Sequence, residues 1–375
     1  MLRLAVIFGL ALTLPAAAAP SARDLKDQVA TVMARTHAQG LAIAIIQDGR
    51  IRSVAAYGVR NARGEPLTPD TVMYGASLTK AVFAYGVMKL VGDGRLDLDR
   101  PLAALLPQPL PDYRGYESLA GDPRWKSITA RMVLTHSTGL PNFAFVEPDH
   151  RLHIHFDPGT HYAYSGEGFL LLQLALEKGL GLDVRAFTDG YLKELGMTRT
   201  SLQWRDDFAG NLADGFNDQG KTVAHDKRSH VRVPGSMDTT ITDMAKFAAA
   251  LVSGRGLTPA ALGEMERPGL PITTAHQFPT FSPELPPADR RADLKAGLGV
   301  VTFEGPQGPG FYKGGHDEQT ANTLVCLIRT RDCVVILSND VCAEAGYRDL
   351  VRFVLGNTGV PYDWEYGDGA GKSNP

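Results

Sequence analysis

The sequence predicts an α/β chain of the α+β type: one antiparallel sheet flanked by helices, plus a second, mostly helical lobe. Three observations predict it. Strand-like runs cluster at both ends of the chain, at 41–47 and 50–57 and again at 297–304, 321–328 and 333–338. Each cluster has a helix beside it, and between them, from about 100 to 290, helices alternate with Pro- and Gly-rich loops. Strands from both ends can pair into one sheet, with the interval forming a second lobe and a cleft between the two. Finally, 375 residues that are 44% hydrophobic and 21% charged hold ample apolar material for a large core.

Taken in order, residues 1–19 read as a signal peptide. Arg3 gives a positive start, Leu4 to Leu14 is nearly all apolar, and Ala16-Ala17-Ala18 offers small residues for cleavage near Ala18 or Ala19. The run is too short to span a bilayer, which takes roughly 20 residues. The chain is therefore expected to be exported, periplasmic or secreted, with no stable membrane anchor. Residues 22–38 carry Leu25, Val29, Val32 and Met33 at helical spacing. Asp48-Gly49 between two β-rich runs predicts a hairpin, because both turn positions need positive φ. Residues 78–91 form an apolar helix ended by Gly92-Asp93-Gly94.

Further helices are expected at 128–136, 166–178, 183–194, 240–252 and 343–355, and a loop at the proline-rich 276–291. Residues 20–366 form one domain in this reading, and 367–375 a loose tail. Cys326 and Cys333 flank Arg329-Thr330, so a hairpin there would set them opposite one another. Either a cross-strand disulfide or buried free thiols fits, and Cys342 leaves the count odd.

The chemistry centres on Ser77-Leu78-Thr79-Lys80 at the start of the apolar helix. Residues three apart share a helix face, so the Lys80 amine can reach the Ser77 hydroxyl and take its proton. The helix N-terminus adds positive potential for a developing oxyanion. A bland alternative is a capping serine beside a solvated lysine. Tyr164, at a loop-to-helix junction, offers a second proton-transfer group if an ammonium stands near it. Lys313-Gly314-Gly315 sits in a Gly-rich stretch before the strand beginning near Thr320, where a substrate can lie against the backbone.

Those three stretches, in that order, resemble the Ser-x-x-Lys, Tyr-x-Asn and Lys-Thr-Gly motifs of the serine β-lactamase and penicillin-binding-protein family. The nearer match is its class C and esterase-like branch. Supporting stretches are similar too: Gly94–Pro101, Leu134–Pro141 around His136 and Gly139, Pro158–Phe169, Leu195-Gly196-Met197 and Val335–Asp340. The resemblance spans about 25–355 and implies a β-lactamase/transpeptidase-like fold. It also implies roles: Ser77 acylated, Lys80 holding its proton, Tyr164 as second acid/base, and Lys313 steering a negative substrate group. The oxyanion would lie between the backbone N–H groups of Ser77 and His316.

Two departures bear on substrate. Gly166 stands where the family usually has Asn, and Gly314 where many β-lactamases have the Thr that helps hold the substrate carboxylate. His316-Asp317-Glu318 offers a competing register for the third motif. The expected function is hydrolysis of a small-molecule ester, amide or peptide through an acyl-enzyme, with weak or no β-lactam turnover. The rivals are a β-lactamase or D,D-peptidase proper, or a penicillin-recognising protein without turnover. With a net charge of -3, no basic field points to nucleic acid. There is no nucleotide-binding motif and no cofactor is implied; His150, His153, His155 and His161 crowd one segment without a metal-ligand spacing.

Overall fold

The computed structural model describes residues 20–267 and 269–367, so the expected signal peptide and its cleavage site, and all but the first residue of the expected tail, lie outside the described residues. Eight strands form one wholly antiparallel sheet. Their spatial order is Arg50–Gly58, Gly40–Gln47, Asp332–Ser338, Ala321–Leu327, Gly308–His316, Val301–Gly305, Lys295–Ala296 and Leu270–Pro271. The first hairpin of the chain thus docks against the last, with Leu41 opposite Ser338 and Ile46 opposite Cys333. At the Asp48-Gly49 turn both residues take positive φ, 49° and 71°, as an Asp-Gly hairpin requires.

Alternation along Gly40–Gln47 divides the core in two. Leu41, Ile43 and Ile45 face the helices Ala22–Thr36 and Tyr347–Leu355, while Ala42, Ala44 and Ile46 face the large lobe. Small Ala42 and Ala44 let the helix Ile241–Val252 approach the sheet closely. A register slip of one residue would exchange the two faces, so burial on both sides pins the pairing. Cys326 and Cys333 are cross-strand partners and form a disulfide, while Cys342 is free.

The large lobe packs around the helix Leu78–Gly92, which is buried on nearly every side. Several boundaries differ from the sequence reading. The expected 128–136 helix is Ala130–Leu134, and the 166–178 helix is α-helical to Leu174 and then widens into a π turn. The expected 343–355 helix starts at Tyr347 after a 3-10 stretch, and short helices at Pro259–Glu266 and Tyr362–Tyr366 were not anticipated.

Lys313-Gly314-Gly315, expected in a Gly-rich stretch ahead of a strand near Thr320, instead lies inside the strand Gly308–His316. Glycine is poor strand material in isolation. Here it is required by close approach: a Cβ on Gly315 would lie 2.9 Å from the Ser77 nitrogen and 2.7 Å from that of Leu78.

Candidate active site

Ser77 caps the Leu78–Gly92 helix by position, yet its hydroxyl makes no capping hydrogen bond. Instead Lys80 Nζ lies 3.2 Å from Ser77 Oγ. The lysine is buried, 1% exposed, and also donates to the Pro234 carbonyl at 2.7 Å. A solvated lysine beside an ordinary cap is therefore not what the fold contains. Burial lowers the Lys80 pKa, helped by the Lys313 ammonium and only partly opposed by Tyr164. That shift favours the free amine, the form able to accept a proton. Ala76, immediately before the serine, holds φ at 44°, a left-handed conformation that costs a non-glycine residue about 1–3 kcal/mol. The helix and the sheet hold that turn in place from both sides.

The other half of the site comes from distant chain. Tyr164 precedes the helix Gly166–Leu174, and its ring lies under both lysine nitrogens, 4.7 Å from Lys80 Nζ and 5.0 Å from Lys313 Nζ. Lys313 Nζ is 3.4 Å from the Tyr164 hydroxyl and donates to the Gly314 carbonyl at 2.7 Å. The ring is seated on His136, stacked at 4.4 Å between centroids. His136 Nδ1 accepts from the Ser165 N–H at 3.0 Å, and burial with two nearby lysines pushes its pKa well down. It therefore adds bulk without charge beneath the tyrosine.

Of the two registers open for the third motif, the structure brings Lys313 to Tyr164, whereas the His316 ring turns aside, with Nδ1 3.0 Å from Glu344 Oε2. Pairing between Gly308–His316 and its neighbour Val301–Gly305 stops at Tyr312, so the edge from Lys313 to His316 faces the cleft. Ser77, Lys80, Tyr164, Lys313, Gly314, Gly315 and His316 all line one cavity of about 490 Å³.

The same cavity holds residues the sequence gave no reason to select. Asn142, Phe143 and Phe145 come from the loop after the Leu134–Pro141 stretch, Gln277 and Phe278 from the proline-rich loop, and Glu365 from the last short helix. Phe145 is 66% exposed, which leaves an apolar face at the mouth. Glu365 is 4% exposed and its pKa is raised by burial, against the opposing pull of Lys313 and His316. Lys313 is lowered by the same burial, with Glu365 opposing.

The crowded histidines pair with carboxylates near this mouth, His153 with Asp149 at 2.9 Å and His155 with Glu147 at 2.8 Å. Among the described residues no group of three or more His, Cys, Asp or Glu side chains is placed to hold a metal.

An antiparallel sheet with a helical lobe, and a Ser-x-x-Lys helix start facing the sheet edge, define a β-lactamase/transpeptidase-like fold. The β-lactamase family model matches residues 25–356, and the chain belongs to that family of serine hydrolases. Among solved structures, the D-alanine carboxypeptidase AmpC from Burkholderia cenocepacia superposes with a TM-score of 0.70 at 20% identity, over 90% of this chain and 99% of that one. Protein flp of Staphylococcus aureus (strain MRSA252) is 25% identical over 220 residues, 53% of this chain and 42% of that protein. The unguisins hydrolase ungD' of Aspergillus campestris is 26% identical over 261 residues, 62% of this chain and 47% of that protein. The chain thus matches less than half the length of these two curated relatives.

Proposed function

We propose that the protein is an exported serine hydrolase that cleaves a small ester or amide through an acyl-enzyme on Ser77, with weak or no turnover of β-lactams. The observation that carries this reading is the buried Lys80 amine 3.2 Å from a serine hydroxyl left free of capping duty. In this mechanism Lys80 takes the Ser77 proton as the oxygen attacks a carbonyl. The oxyanion lies between the backbone N–H groups of Ser77 and His316, at the positive end of the helix. Tyr164, flanked by Lys80 and Lys313, delivers a proton to the leaving group and later activates the water that releases the acyl group.

Export is supported by residues 1–19 and by the Cys326–Cys333 disulfide, a bond kept in oxidising compartments. No helix among the described residues is long and apolar enough to cross a membrane. Weak β-lactam turnover is supported by Gly166 and Gly314, which lack the side chains that hold the acyl amide and the carboxylate in the family pattern.

The test is a panel of short-chain esters, a chromogenic cephalosporin and a D-Ala-D-Ala peptide, assayed with wild type and Ser77→Ala. Ester turnover lost in Ser77→Ala supports the reading. Efficient cephalosporin hydrolysis, or ester turnover that survives the substitution, contradicts it.

A further inference from the structure

Both departures from the family motifs fall where no side chain has room. At Gly166 a Cβ would lie 2.7 Å from the Asn142 carbonyl oxygen and 2.7 Å from the Phe143 ring. At Gly314 it would lie 1.9 Å from Glu365 Oε1 and 2.9 Å from the Tyr366 hydroxyl. The second collision brings a charge into the cleft. Glu365 lines the cavity, and its Oε1 receives a long hydrogen bond from Gln277 at 3.4 Å. Its Oε2 is buried with no hydrogen-bond partner among the described residues. The strand presents Lys313 and His316 to this corner, and Glu365 and Glu344 face them. His316 is paired with Glu344, while Glu365 acts on Lys313 through space within the same cavity, so a substrate carboxylate arriving here meets a resident carboxyl group as well as the lysine.

We propose that Glu365 is the specificity residue of this cleft: its carboxyl group fills the space beside Gly314 in the cavity that Lys313 lines, so acyl donors with an uncharged leaving group are accepted and those with an anionic one are turned away. The inference rests on the serine-hydrolase reading above. It concerns the leaving group because Tyr164, the proton donor in that reading, adjoins Lys313 at 3.4 Å. The acyl group is then left to the apolar side of the cavity, where Phe143 and Phe145 stack on one another at 5.3 Å.

The charge on Glu365 sets the strength of this exclusion. Facing it are Lys313 and His316 on the strand, Glu344 ahead of the Tyr347–Leu355 helix, and Gln277 on the loop. The neighbouring phenols of Tyr162, Tyr312, Tyr362 and Tyr366 are all held neutral by burial. Protonating Glu365 leaves Lys313 uncompensated, so exclusion weakens as pH falls through about 7.

The experiment compares phenyl butyrate with 3-carboxyphenyl butyrate in full-length wild type, Glu365→Gln and Glu365→Ala. Wild type is expected to favour the neutral ester in kcat/KM by at least about tenfold at pH 8, and Glu365→Gln to reduce that ratio about tenfold through faster turnover of the anionic ester. The wild-type ratio should also shrink below pH 7 and lose that dependence in the variants. The wild-type pH series needs no substitution, so a variant that fails to fold leaves the inference testable. Equal handling of both esters by wild type, or an unchanged ratio in folded variants, overturns this inference and leaves the hydrolase reading standing. No turnover of either ester, with no adduct on Ser77, removes both.

Discussion

The two walls of the cleft were made differently. On one, Ser77 and Lys80 meet within a single helical turn, and their contact follows from a spacing of three residues. On the other, Phe143, Phe278 and Glu365 arrive from three separate loops or short helices, more than 200 residues apart at the extremes. In the proposed mechanism the first wall carries bond-making and tolerates little change, because Ser77 and Lys80 must exchange a proton across 3.2 Å. The second decides what reaches it and can be rebuilt by distant substitutions without touching the serine. Family membership is legible in the first wall, and the proposal places substrate choice in the second.

The sharpest way to break this contrast is to substitute in the chemical wall. Ser77→Ala is expected to lower ester kcat/KM by at least about 10⁴-fold, and Lys80→Met by about 10²–10⁴-fold, with melting temperature little changed. Tyr164→Phe keeps the ring stacked on His136 and removes only the hydroxyl, so a loss of about 10²-fold with unchanged KM is expected in steady-state assays. Loss of ester binding instead of turnover in these variants would place them on the recognition side. For a neutral ester, kcat/KM should rise with pH along a limb set by Lys80. Burial lowers that pKa, so the limb must fall below the range of an ordinary lysine; a midpoint at the ordinary lysine value would remove Lys80 as the base.

Smaller effects should mark the recognition wall. Phe145→Ser removes an apolar face from the mouth and should reduce preference for longer acyl chains by about 3- to 10-fold while leaving acetate esters nearly unaffected. Away from both walls, paired Cys326→Ser and Cys333→Ser should cost about 2 kcal/mol of stability through the freed hairpin, read as a lower denaturation midpoint with full activity retained.

Much of the fold could be read in the sequence because its signals are local. Alternation at 41–47, the Asp48-Gly49 turn and the spacing of Tyr347, Leu350, Val351 and Val354 each act within a few residues. The strand Gly308–His316 was missed because its glycines answer to a helix more than 200 residues earlier in the chain. The short helix bearing Glu365 was missed for a related reason: five residues nucleate no helix alone, and packing against the strand and the proline-rich loop holds it. Gly166 and Gly314 were visible as departures from a pattern. What fills the space beside them was not.

The proposed chemistry requires an ester bond to form at one hydroxyl, and intact-protein mass spectrometry after brief exposure to a fluorophosphonate tests this directly. Wild type should gain a single adduct that peptide mapping places on Ser77, and Ser77→Ala should gain none. An adduct of equal yield in Ser77→Ala, or an unmodified wild type that still hydrolyses esters, would contradict it.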